Sequence, residues 1–238
     1  MPDQALSSLV VLDLSENISG PYCTKLFADY GAEVIKVEKP PLGDPSRFAG
    51  PFPNDQPDIE KSGLFLFLNT GKKSITLNLE SEDGSQMFKR LVKGTDILVE
   101  NFRPGVMASL GLDYEVLAEI NPALIMTSIS YFGQWGPYWD WDGSDIVAQA
   151  MGGLMGLTGE ADREPLKLPL SQAEFQAGLN AAVATLSALY LRDETDYGQH
   201  IDVSIQEAVA SILEASLTMY HYSGFVRERT GSRHHLQC

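Results

Sequence analysis

Apolar residues along the first half of the chain fall into two alternating rhythms. Residues 8–14 (SLVVLDL), 33–38 (EVIKVE), 74–79 (SITLNL), 96–99 (DILV) and 124–130 (LIMTSIS) are short runs rich in β-branched residues, and each predicts a strand. Helix-like stretches separate them. Gly20-Pro21 opens a helix, with Pro near the first helical position, where its missing N–H costs nothing. That helix carries Cys23, Leu26 and Phe27 on one face and stops at Gly31, a residue suited to the left-handed cap. Residues 81–92 and 114–119 predict two further helices. The alternation predicts an α/β fold with a parallel sheet.

Residues 39–63 break the rhythm. They form a long Pro/Gly/Asp-rich stretch, read as a loop, and a loop of that length is usually functional or mobile. The second half changes character. Residues 131–142 are rich in Gly, Trp, Pro and Asp and read as a loop. Residues 146–157 and 175–191 predict apolar helices, residues 200–203 a short strand, and residues 204–222 a final helix. Residues 224–238 are basic, with Arg227, Arg229, Arg233, His234 and His235, and lack structure signals, as if the chain stopped in mid-fold.

Composition narrows the function classes. A chain of 238 residues suits one large domain, and 44% hydrophobic residues allow a sizeable core. A net charge of −15 argues against nucleic acid and against an anionic membrane surface. Two cysteines, Cys23 and Cys238, make no disulfide framework, so a reducing cytoplasm is the default expectation. The start has no basic, apolar leader pattern, and no apolar run reaches bilayer length. No metal-ligand spacing, phosphate-binding P-loop, dinucleotide Gly fingerprint or Ser-hydrolase elbow is present. The chemistry is left to carboxylates, a few cations and several Gly-Pro corners.

Those corners run in order through Leu12-Asp13-Leu14, Gly20-Pro21, Leu26-Phe27-Ala28-Asp29-Tyr30-Gly31-Ala32-Glu33-Val34 and Gly43-Asp44-Pro45. They continue with Asn69-Thr70-Gly71-Lys72-Lys73-Ser74, the most specific block Glu100-Asn101-Phe102-Arg103-Pro104-Gly105, then Asn121-Pro122, Gly133-Gln134-Trp135-Gly136-Pro137 and Asp145-Ile146-Val147-Ala148-Gln149. Taken in order, these blocks resemble CoA-transferase family III. The resemblance implies a Rossmann-like parallel sheet with flanking helices, the N-terminal part of an interlocked-dimer fold. Residues 1–223 would belong to the large domain and residues 224–238 would begin a linker to a small domain beyond this chain. It also implies an acyl-CoA and a carboxylic acid as substrates, with no tightly bound cofactor.

The resemblance further implies a carboxylate nucleophile that passes through enzyme-bound anhydride and thioester intermediates. Aligned on Gly178, the position where the family usually has Asp holds Glu174. Glu differs by one methylene, and a displacement of ~1 Å at a reacting group can cost ~10²-fold. Ser171-x-x-Glu174 is equally a helix capping box, which would turn the Glu174 side chain away from chemistry. Asp145 matches a second acidic position near the family's active site and reads alternatively as a helix N-cap.

For coenzyme A, the resemblance points to Ile18, Ser19, Lys39, Leu77, Asn101, Phe102 and Arg103. Glu80 and Ser109 stand where the family often has cations, and Lys72, Lys73 and Arg47 are the nearby positive groups that would compensate. Two other readings stay open. One is an acyl-CoA racemase or isomerase on the same fold, against which Ser144 replaces that branch's proton-transferring His. The other is a non-catalytic CoA-binding half of a paired transferase.

Overall fold

The computed structural model describes residues 4–213 and 215–232. Its centre is one sheet of six parallel strands in the order β3-β2-β1-β4-β5-β6. The strands are β1 (Val10–Asp13), β2 (Glu33–Glu38), β3 (Lys73–Thr76), β4 (Ile97–Glu100), β5 (Ile125–Ser130) and β6 (His200–Ser204). The first five coincide with the apolar runs within a few residues. Buried strand residues segregate by parity, as the two-residue repeat of a strand requires. Val11, Val99, Ile125 and Ile129 face one layer of helices, and Leu12, Leu98 and Met126 face the other.

The first layer contains α1 (Ser19–Asp29), α6 (Asp145–Met151), α8 (Gln172–Thr195) and α9 (Ile205–Ser211). Helix α8 crosses α1 closely because its inner face is built from small residues, Ala173, Ala177, Gly178, Ala181 and Ala182. The second layer contains α3 (Glu82–Val92), α4 (Val106–Ser109) and α5 (Tyr114–Ile120). In α3 the Ser81 hydroxyl caps the Gly84 N–H, Glu82 and Asp83 sit in the first turn, and Lys89 and Arg90 sit in the last. All these placements favour the helix electrostatically. Phe88 from α3 is fully buried, a contribution of ~1.5–3 kcal/mol.

Three features differ from the sequence expectation. The stretch after β2 ends in a helix, α2 (Gly63–Asn69), whose start is capped by Ser62 accepting the Phe65 N–H. The expected helix 146–157 is split into α6 and α7 (Leu154–Leu157), because Gly153 adopts φ +88°, a left-handed conformation that no helix continues through. The expected helix 204–222 is likewise two pieces, α9 and α10 (Ser216–Ser223). Arg233, His234, His235 and Cys238 lie outside the described residues. Among the described residues no helix is long and apolar enough to cross a membrane.

Candidate active site

In a sheet of this order the chain leaves β1 toward β2 on one side and β4 toward β5 on the other. The loops after β1 and β4 therefore diverge and open a crevice at the C-terminal edge, the usual place for a ligand in such sheets. Asn101, just past β4, closes the base of that crevice. Its Oδ1 accepts the Glu16 N–H at 2.8 Å, and its Nδ2 donates to Glu16 O at 2.7 Å and to Ser19 Oγ at 3.2 Å.

Two cavities flank the turn after β4. One, of about 220 Å³, is lined by Ser19, Phe102, Arg103, Tyr131, Trp139 and Glu174 among others. The second, of about 250 Å³, is lined by Lys39, Leu77, Glu80, Phe102 and Leu110 among others. Phe102 belongs to both linings, so its ring is their common wall.

Glu174 stands in the first turn of α8, and its carboxylate reaches the first cavity. Ser171 makes no side-chain cap, so the capping box does not form. Glu174 Oε1 instead accepts the Tyr131 hydroxyl at 2.5 Å, across 43 residues of sequence. Burial raises the Glu174 pKa above the ordinary carboxylate value, the Tyr131 bond opposes the rise, and Asp145 adds to it. Burial, then the Glu174 charge, pushes the Tyr131 phenol upward, so it stays a proton donor.

Asp145 is the first residue of α6, after Ser144, which makes no side-chain cap. Its carboxylate serves the next helix. Oδ1 accepts the Ala173 N–H at 2.9 Å, and Oδ2 accepts Gln149 Nε2 at 2.7 Å and pairs with Lys167 Nζ at 2.8 Å. Gln149 Oε1 in turn accepts the Leu168 N–H at 2.8 Å. The segment leading into Glu174 is thus pinned from α6.

Of the residues singled out for coenzyme A, the fold brings Ser19, Phe102 and Arg103 to the first cavity and Lys39, Leu77 and Phe102 to the second. Asn101 lines the first but spends its amide on the β1–α1 corner. Ile18 is the half-buried N-cap residue of α1 and lines neither cavity. Arg103 is exposed, 3.1 Å from Asp142 and donating to Asp140 O. Lys39 pairs with Glu80 at 2.7 Å.

The supposed compensating cations are engaged elsewhere. The Lys72 ammonium is buried and bonds Asp13, Thr24, Pro21 O and Asn69. Arg47 grips Glu38 through Nε and Nη2, at 2.7 and 2.9 Å, and Lys73 pairs with Glu33. They shape the loops around the site and do not stand free at it. Sequence reasoning singled out neither Tyr131 nor Lys167, and it placed Gln149 in a family block without giving it a role. Tyr131 follows the end of β5, and strand ends at the C-terminal edge are the one signal that marks it.

The chain matches the model of CoA-transferase family III over residues 6–238. It is 41% identical over 234 residues to the succinyl-CoA–D-citramalate CoA-transferase of Chloroflexus aurantiacus, a match covering 97% of this chain and 56% of that protein. It is also 41% identical over 234 residues to the acetyl-CoA:oxalate CoA-transferase of Acetobacter aceti, covering 98% of this chain and 59% of that one. Among solved structures, a CAIB/BAIF family protein from Brucella suis superposes with a TM-score of 0.91 at 39% identity, over 98% of this chain and 61% of that one. The chain thus spans a little over half the length of the curated relatives it matches.

Proposed function

The chain belongs to CoA-transferase family III, and from that premise we propose that it supplies the nucleophile and the coenzyme A face of an acyl-CoA:carboxylate CoA-transferase. The observation that carries this reading is Glu174. Its carboxylate is held by Tyr131 at the wall of a cavity shared with Ser19 and Arg103, and across Phe102 the neighbouring cavity is lined by Lys39 and Leu77, two more of the residues expected to meet coenzyme A.

In the proposed mechanism, coenzyme A lies across the Phe102 turn. Its nucleotide end sits against Lys39 and Leu77, and its thioester reaches the first cavity. The Glu174 carboxylate attacks the thioester carbonyl, the C–S bond breaks, and coenzyme A leaves as thiolate. The product is a mixed anhydride of Glu174 and the acyl group. The thiolate attacks the Glu174 carbonyl, releases the donor acid and leaves a glutamyl thioester. The acceptor carboxylate then attacks that thioester, and the same steps run in reverse to give the new acyl-CoA and free Glu174. Placement in the first turn of α8 favours the charged nucleophile, and the Tyr131 hydroxyl orients one oxygen so that the other attacks. Phe102, Tyr131 and Trp139 give the first cavity aromatic walls.

Asp145 is assigned the task of holding the start of α8, since Oδ1 accepts the Ala173 N–H and Oδ2 is taken by Gln149 and Lys167. A homodimer fits the outer face of α8, where Leu179, Val183 and Tyr190 are exposed along one stripe.

The test is the full-length protein with Glu174→Gln. Transfer from succinyl-CoA, acetyl-CoA or formyl-CoA should fall by roughly 10³-fold or more while coenzyme A still binds. Retained turnover would remove Glu174 from the chemistry.

A further inference from the structure

Behind the Phe102 turn lies a polar row that the proposed mechanism does not use. Glu100 is the last residue of β4 and is 3% exposed. Its Oε2 accepts the Phe102 N–H at 2.8 Å. Ser128, its register partner on β5, is buried and hydrogen-bonds the same carboxyl. Ser128 Oγ lies 2.8 Å from Nε2 of His200 on β6. The His200 ring stacks on Tyr114, with centroids 5.4 Å apart and planes 18° from parallel, and its outer edge is exposed. The row therefore runs from a buried carboxyl, through one hydroxyl, to an imidazole at the surface.

Its position gives it a task. Asn101 grips the β1–α1 corner by its side chain, and Glu100 grips the next N–H along. Together they fix the direction in which the Phe102 ring leaves the strand, and that ring separates the two cavities. We propose that Glu100 is a positioning residue for the coenzyme A face, holding residues 101–103 in the cavity-dividing turn, with Ser128 and His200 as the route by which a proton reaches it. The identity of the ligand rests on the function proposed above.

The row has two hydrogen-bond states. With Glu100 ionised, His200 Nε2–H donates to Ser128, and Ser128 donates to Glu100. With Glu100 protonated, Glu100 donates to Ser128, and Ser128 donates to Nε2; the hydroxyl turns over between them. Burial is the largest cause that raises Glu100 to about 7, the Ser128 and Phe102 bonds oppose it, and Asp202 adds to it. Partial burial lowers the His200 imidazole, which favours the neutral ring that either state needs. Other charged groups around the row are Arg103 from the turn, Asp113 and Glu115 from the start of α5, and Asp202 from β6. An ionised carboxylate accepts the Phe102 N–H more strongly than a protonated one. The turn is therefore held more firmly above about pH 7 than below it.

The experiment measures binding of coenzyme A itself by calorimetry, in the full-length protein carrying Glu174→Gln, so that turnover does not enter. The expected result is an affinity that falls several-fold from about pH 8 to about pH 6. Glu100→Gln, which still accepts the Phe102 N–H, should bind within about threefold at pH 8 and lose the part of the pH dependence due to Glu100. Glu100→Leu should bind ~10-fold more weakly at every pH. If Glu100→Leu fails to fold, Ser128→Ala takes its place; it should keep the pH 8 affinity and shift the midpoint of the pH dependence. A folded Glu100→Leu with unchanged affinity overturns the proposal. So does a Glu100→Gln or Ser128→Ala profile identical to that of the parent. A parent protein that binds no coenzyme A overturns the function reading itself, and this inference with it.

Discussion

Asp145 Oδ1 accepts the Ala173 N–H at 2.9 Å, one residue before Glu174. An acid at the start of one helix thereby caps the start of another, 28 residues further on. The same carboxylate holds Gln149 and Lys167, and so the whole approach to α8. Asp145→Ala should cost ~1–3 kcal/mol in denaturant unfolding, the range for stranding such partners. Transfer should slow through kcat, with KM for the acyl-CoA little changed, because the proposed nucleophile moves and the proposed coenzyme A face does not. Steady-state kinetics separate the two.

Tyr131→Phe removes the bond that opposes the rise in the Glu174 pKa. In the proposed mechanism Glu174 attacks as the carboxylate, so the acid limb of the kcat profile should move to higher pH. At a fixed pH below that limb the rate should fall ~10-fold or more. A pH–rate series on the variant and its parent checks both.

Gly178 lies where α8 crosses α1, and a Cβ there would meet Ser19 O at 2.5 Å. That atom is backbone and cannot swing aside. Gly178→Ala should push the two helices apart, cost ~1–3 kcal/mol, and displace both Ser19 and Glu174 from their cavity. Chemical denaturation and activity should fall together.

The apolar runs made the strands legible, and residues 33–38 coincide with β2 end to end. Helix α2 was not legible, because Gly63–Asn69 (GLFLFLN) is short and apolar without a helical period; its cap, Ser62, works through the packing of the preceding loop. The breaks after α6 and α9 depend on backbone conformations that an apolar pattern does not encode. The resemblance singled out Glu174 and Phe102, and the fold brings both to the lining of one cavity. Tyr131 and Lys167 were not legible, because each acquires its role from a partner that only the fold brings near. Lys72 was misread for the same reason. Its sequence neighbourhood is polar, but β3 begins beside β2, and the chain there passes over Asp13.

That buried pair yields another expectation. Asp13 is fully buried, bonds Ser15 and Thr24, and receives Lys72 at 2.9 Å. Lys72→Met leaves the buried carboxylate only the more distant Lys36, at 3.9 Å, and should cost ~1–3 kcal/mol. Replacing Asp13 and Lys72 together by Leu and Met should cost less than the single changes add up to. A double-mutant cycle in urea measures the coupling.

Acid stability follows from Glu38. Although burial opposes ionisation, the Arg47 fork, Ser74 and the Asp44 N–H bring its pKa down to about 2. The folded value lies below the unfolded one, near 4.5. Its contribution is therefore present above about pH 4.5 and lost as pH falls toward 2. Arg47→Met should flatten the stability curve in that window, as read from unfolding midpoints across it.

The covalent state of Glu174 during turnover bears most directly on the proposed reaction. Full-length protein incubated with an acyl-CoA, quenched with borohydride and digested, is expected to show Glu174 reduced to the corresponding alcohol in the α8 peptide by mass spectrometry. The modification should depend on acyl-CoA and be absent when hydroxylamine is added first. An unmodified Glu174 in protein that is turning over, or the modification on another carboxylate, would contradict Glu174 as the nucleophile.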